Sequence, residues 1–257
     1  MKRLQLLITF FIFANICHGF AEDWNAEKST HFIVYYKNAP GSFIRELVDK
    51  AEGYYNGIAD DLGFRRYNFW LWENRASIYV YDDAAAYQSV THQPAWSSGC
   101  AYPEQKIIHT FPYATDFFGT VLPHEMGHII FRELVGFQNR AIPIWLDEGV
   151  ASYEQDLRFS GVRMIAKEAM LQDKFMGLKE LSGFNPQSSF DPSLVRIFYA
   201  ESISVVEYLV KEFGQDSFLL FCQKLRDDRD LEKALSGSYP FANIEELDEA
   251  WQKFLEK

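Results

Sequence analysis

The stretch "LPHEMGHIIF" (Leu122–Phe131) sets two histidines and a glutamate inside an otherwise apolar run. Burying such groups costs free energy unless each finds a partner. On an α-helix four residues turn about 400°, so His124 and His128 share one face, a turn apart. Two imidazoles stacked in that way reach a single cation, and zinc accepts histidine nitrogen at about 2.0–2.1 Å. Glu125 stands one step round the helix, where it can work on a water held by the cation without becoming a ligand. Apolar flanks on both sides, "TVL" before the histidines and "IIF" after, predict a buried helix.

A catalytic zinc commonly takes three protein ligands and leaves a position for water. "IPIWLDEGVASYEQ" (Ile142–Gln155) offers Glu148, 20 positions after His128, between Trp145 and Val150 in another apolar helical run. Asp147 competes for the role, but it points about 100° away round the helix. The alternative of a histidine six positions after His128 is excluded, because that position is Leu134. A purely structural zinc site fits less well. Such sites close all four positions, often with cysteine, and neither Cys100 nor Cys222 is spaced for it.

HExxH followed by a glutamate within "WLDEGVA" resembles the gluzincins: thermolysin, the zinc aminopeptidases and especially the peptidase MA-like proteins. The resemblance covers about His31 to Phe221, with its strong motifs confined to Leu122–Tyr153. It implies a zincin-like α+β fold, a Zn²⁺ cofactor and a peptide or protein substrate. It implies His124, His128 and Glu148 as the metal ligands and Glu125 as the general base. It also implies a tyrosine heading a later helix as oxyanion donor. "FYAESISVVEYLVKEFG" (Phe198–Gly214) puts Tyr199 in that role, with plain half-buried packing as the alternative. The Gly-x-Met-Glu-Asn segment by which aminopeptidases grip a free amino terminus has no counterpart, although Glu104 is nearby. Endopeptidase action is therefore expected over aminopeptidase action. "SSGCAYPEQKIIHTF" (Ser97–Phe111) is expected to hold an edge strand able to pair with an extended peptide. A second functional reading keeps the scaffold and drops the chemistry: a catalytically weak or inactive zincin-type binding protein acting on protein or cell-envelope partners.

Outward from the motif, the pattern divides the chain. "HFIVYYK" (His31–Lys37), "RASIYVYDD" (Arg75–Asp83) and "KIIHTF" (Lys106–Phe111) are predicted strands. Apolar residues at helical spacing over Ser42–Leu62 predict a helix that Gly63 stops. Asp116–Val135 is helical in pattern despite Pro123, and another helix opens at Pro143. Helices are predicted over Glu201–Gly214, Asp216–Leu225 and Asn243–Lys257, the last with Asn243 as cap and Glu246 three residues on. The expectation is an α+β protein: a sheet-plus-helix zincin subdomain over residues 22–155, then an all-helical subdomain over 156–257.

Lys2 and Arg3 lead into a 13-residue apolar stretch (Leu4–Ile16) and then "CHGFA". A membrane span needs roughly 20 residues, so residues 1–21 are expected to be a cleaved export signal. That implies a periplasmic or secreted protein with no stable membrane insertion after cleavage. An uncleaved anchor or a lipid on Cys17 are the alternatives. The formal charge of −11 argues against a nucleic-acid partner. Cys100 and Cys222 read as buried thiols, with a disulfide between them as the alternative in an oxidising compartment. His31, His92 and His109 have no partner at ligand spacing and read as strand or surface histidines.

Overall fold

The computed structural model describes residues 24–64, 70–153 and 161–257. The expected export signal and the expected boundary at 155/156 lie outside them. Among the described residues five strands form one mixed sheet: β1 (Asn25–Lys28), β2 (Phe32–Tyr36), β3 (Ala76–Val80), β4 (Gly99–Tyr102) and β5 (Ile107–Thr110). Their order is β1-β2-β3-β5-β4, with β2, β3 and β5 parallel and β1 and β4 antiparallel at the two edges. Side chains alternate with period two. Val34, Ile78 and Ile108 therefore fall in register as one wholly buried aliphatic row. The adjacent row, Tyr35, Tyr79 and His109, turns to the other face, its rings stacked at 4.8 and 5.5 Å.

Helix α1 (Gly41–Asp61) packs on the aliphatic face through Phe43, Ile44, Leu47, Ala51, Tyr55 and Ile58. It stops at Leu62, where Gly63 takes a φ of 75°. A short α2 (Ala84–Thr91) follows β3. The stretch expected as one helix from Asp116 splits in two: a π-helical turn over Phe117–Val121, then α3 (Leu122–Val135). Pro123 falls in the first turn of α3, where its missing N–H has no intrahelical partner to lose.

All remaining described elements are helical: α4 (Ile144–Tyr153), α5 (Val162–Leu171), α6 (Leu178–Gly183), α7 (Pro192–Phe213), α8 (Gln215–Asp228), α9 (Leu231–Ser236) and α10 (Ile244–Glu256), with one 3-10 turn at Pro186–Ser188. The fold is α+β, with the sheet N-terminal and the helices following. α10 is capped by the residue that the sequence names: Asn243 Oδ1 accepts the Glu246 N–H at 2.9 Å. α7 starts earlier than expected, at Pro192 instead of near Phe198. Asp191 caps it by accepting the Ser193 N–H at 2.8 Å, and Pro192 occupies the first turn. Tyr199 consequently lies inside this helix and does not head it.

Cys100 and Cys222 are free thiols, Cys222 buried and Cys100 partly so. His31 is held by Glu52 at 2.6 Å and stacked on Tyr55. His109 pairs with the Tyr81 hydroxyl at 2.9 Å. His92 caps α2 in the left-handed region. Among the described residues, no helix is long and apolar enough to cross a membrane.

Candidate metal centre and active site

Helix α3 presents His124 and His128 on one face, with ring centroids 4.7 Å apart and planes nearly perpendicular. Their Nε2 atoms are 3.2 Å apart. Helix α4 brings Glu148 against both: its Oε2 lies 3.5 Å from His124 Nε2 and 3.7 Å from His128 Nε2. A tetrahedral ion with bonds of about 2.0–2.1 Å would hold its donors about 3.3–3.4 Å apart. These three atoms already stand close to that triangle. Glu148 Oε2 is buried with no hydrogen-bond partner among the described residues. A buried carboxylate oxygen without a proton donor is costly. A divalent cation held among the three would supply what it lacks, so the residues present fit a metal ion.

Two neighbouring glycines explain how the helices approach so closely. A Cβ on Gly127, next to His128, would meet Ala151 Cα of α4 at 2.7 Å. A Cβ on Gly149, next to Glu148, would meet the Ser202 carbonyl oxygen of α7 at 2.5 Å. Only a residue without a side chain allows either crossing. Each segment that bears a candidate ligand thus carries the glycine that seats it.

The far nitrogens of both imidazoles also have polar neighbours, supplied by α4. Ser152 Oγ lies 3.2 Å from His124 Nδ1. Asp147 Oδ1 lies 3.2 Å from His128 Nδ1. Asp147 Oδ2 accepts two N–H groups from Arg132, at 3.0 and 2.7 Å. On metal binding, a ring proton kept on Nδ1 would leave each Nε2 lone pair for the ion. The sequence raised Asp147 as a rival ligand. The structure turns it away from the triangle and onto the back of His128. Ser152 and Arg132 carried no signal in the sequence, because their partners lie 28 and 15 positions away.

Electrostatics follow burial and neighbours. Burial pushes Glu125 up to about 6; the charge of His128 opposes this and that of Glu148 adds to it. Burial also raises Asp147, but His128 and Arg132 outweigh it and hold the carboxyl at about 2. Burial lowers His124 to about 3, helped by His128. For His128 burial works downward, and Asp147, Glu148 and Glu125 together overcome it, to about 9. Tyr199 is pushed well above the ordinary phenol range, first by burial and then by the charge and hydrogen bond of Glu148.

His124, Glu125, Ser152 and Tyr199 open onto a cavity of about 750 Å³, bounded on one side by Gly99 of β4 and on another by α7. β4 is the edge strand expected upstream of the motif, and it ends the sheet at this side. Glu104, which follows it, is engaged by the side-chain amide of Gln138 and does not line the cavity. The site gathers His124, His128, Glu148, Glu125 and Tyr199 from three separate helices.

No curated protein matches the chain. The family model described as the Peptidase MA superfamily matches residues 71–257, a span running from before β3 to the last residue and enclosing every residue of the metal triangle. With an α+β zincin scaffold around a two-histidine, one-glutamate cluster, the chain belongs to the Peptidase MA superfamily.

Proposed function

We propose that this protein is an exported zinc metallopeptidase that hydrolyses internal peptide bonds. The observation that carries the reading is the buried, unpartnered Glu148 Oε2 facing two imidazole nitrogens whose far sides are already occupied. Two nitrogens and one carboxylate oxygen, with an open cavity beside them, are a donor set for catalytic zinc. The N-terminal Lys-Arg start and short apolar stretch support export.

Held by His124, His128 and Glu148, a zinc ion would supply the Lewis acidity that activates water and polarises a scissile carbonyl. Glu125 takes a proton from the attacking water and returns it to the leaving nitrogen. Burial in the site raises its pKa, which makes the carboxylate a better acceptor for that proton. Burial and the neighbouring Glu148 keep Tyr199 protonated, so its O–H is available to a developing oxyanion. Ser152 and Asp147 keep the imidazoles in orientation. The edge strand β4 offers the backbone against which an extended peptide can lie.

The enzyme reading is preferred to an inactive binding protein because Glu125 and Tyr199 face the same cavity as His124. The test is zinc analysis of the purified protein together with digestion of an unstructured protein and a peptide library. Glu125→Gln is expected to keep its zinc and lose turnover. Hydrolysis by Glu125→Gln at the unmodified rate would overturn the assignment. Zinc uptake without hydrolysis by the unmodified protein would favour the binding protein.

A further inference from the structure

Arg196 is the one arginine or lysine among the described residues lining the cavity; the carboxylic acids with it there are Asp116 and Glu125. In a chain with 36 acidic residues against 25 basic ones, an arginine near a carboxylate-rich site is expected to find a partner. The other arginines around the site do. Arg132 is bound by Asp147 at 2.7 Å, and Arg163 by Glu207 at 3.1 Å. Arg196 makes no ion pair with any described residue, and its side chain is exposed on the cavity wall.

Its place on α7 fixes what it can reach. Arg196, Tyr199, Ala200 and Ile203 all line the cavity, a spacing of three, four and seven that puts them on one helix face. Arg196 and Tyr199 are separated by about 4.5 Å along the axis. Tyr199 stands beside the metal-ligand candidate Glu148. An extended peptide advances about 3.3 Å per residue. A group carried one or two residues from a carbonyl held at the metal triangle therefore comes level with Arg196. A guanidinium offers a planar fork of donors that matches a carboxylate in two parallel hydrogen bonds.

Resting on the peptidase reading, we infer that Arg196 determines specificity by binding a carboxylate of the peptide substrate within about two residues of the scissile bond. The carboxylate is either an aspartate or glutamate side chain or the α-carboxylate of a chain end. Both present the same chemistry to the guanidinium, and the experiment separates them.

Zinc-loaded protein is given matched peptides carrying Glu, Gln or Lys at each position flanking one cleavable bond, each with a free or an amidated C-terminus. The unmodified protein is expected to favour one carboxylate-bearing peptide by about 10- to 100-fold in kcat/KM. Arg196→Ala is expected to bring that ratio to near one, and Arg196→Glu to reverse it in favour of Lys at the same position. Preference for Glu over Gln identifies a side-chain carboxylate; preference for a free over an amidated end identifies the α-carboxylate. A ratio unchanged by Arg196→Ala overturns the inference while leaving the peptidase reading intact. Binding of the same fluorescently labelled peptides to Glu125→Gln and Glu125→Gln/Arg196→Ala protein gives a second readout that needs no turnover. Equal affinity of the two variants for the acidic peptide also overturns it. If no peptide is cut, the peptidase reading fails, and the binding comparison still decides whether Arg196 grips carboxylates.

Discussion

Asp147 holds His128 from behind: its Oδ1 is 3.2 Å from His128 Nδ1, while its Oδ2 takes both N–H groups that Arg132 extends toward it. The imidazole is thereby fixed with Nε2 toward His124 and Glu148. Asp147→Asn preserves the shape and removes the charge. It is expected to weaken zinc binding by about 10- to 100-fold, measured by competition with a chromogenic chelator. Ser152→Ala, which removes only a neutral partner of His124, is expected to cost less. Unchanged affinity in Asp147→Asn would confine that residue to anchoring Arg132.

Gly149→Ala forces a methyl group to within 2.5 Å of a backbone oxygen and 2.9 Å of Val206 Cγ2. Helix α7 has to retreat, at a cost of about 1–3 kcal/mol. Because Glu148 is the preceding residue, zinc affinity should fall with it. Gly53→Ala is the contrast. That glycine is exposed within α1, with open space around its added Cβ, so the change should stabilise by about 0.5–1 kcal/mol through helix propensity. Urea denaturation of both variants checks the opposite signs.

Tyr199→Phe removes one hydroxyl and leaves the ring in place. If Tyr199 serves the oxyanion, kcat falls about 10²- to 10³-fold while KM and zinc content change little. A fall in zinc content matching the fall in kcat would instead make Tyr199 a support for Glu148.

Glu201 is a wholly buried glutamate on α7 whose carboxyl oxygens accept the Met176 N–H at 3.2 and 3.3 Å. Burial pushes it to about 9 against an ordinary 4.5; the Met176 bond opposes the rise and Glu180 and Asp248 add to it. An acid whose folded pKa is raised keeps its proton in the folded state while the unfolded chain releases it. Its contribution to stability therefore declines as pH climbs from about 4.5 to about 9. Glu201→Gln is expected to match the unmodified protein near pH 4 and to exceed its Tm at pH 8, by about 2–4 °C for each kcal/mol recovered. A difference in Tm that does not grow with pH would show that Glu201 is not held protonated.

Much of this was readable from the sequence where one residue type answers one physical demand. His124, His128 and Glu148 stood out because polar groups in apolar helical runs need a reason to be there. Strands β2, β3 and β5 were visible through their β-branched and aromatic runs. β1 was not, because all four of its residues, Asn25–Lys28, are exposed and no apolar alternation marks them; its pairing with β2 makes it a strand. The early start of α7 was signalled by Asp191 and Pro192, which are a cap and a first-turn residue of the ordinary kind. Asp147 and Ser152 are different. Their orientation toward the imidazoles depends on how α4 crosses α3, and that crossing depends on Gly127 meeting Ala151. Contacts of this sort belong to tertiary geometry, and local spacing does not encode them.

The paired close approaches at Gly127 and Gly149 have a bearing on redesign. With main chain resting on main chain at both crossings, neither glycine can take a side chain without moving a helix. Efforts to admit bulkier substrates must therefore reshape the opposite bank, around Trp96, Ser97 and Ser98, while the bank that carries the ligands is left alone.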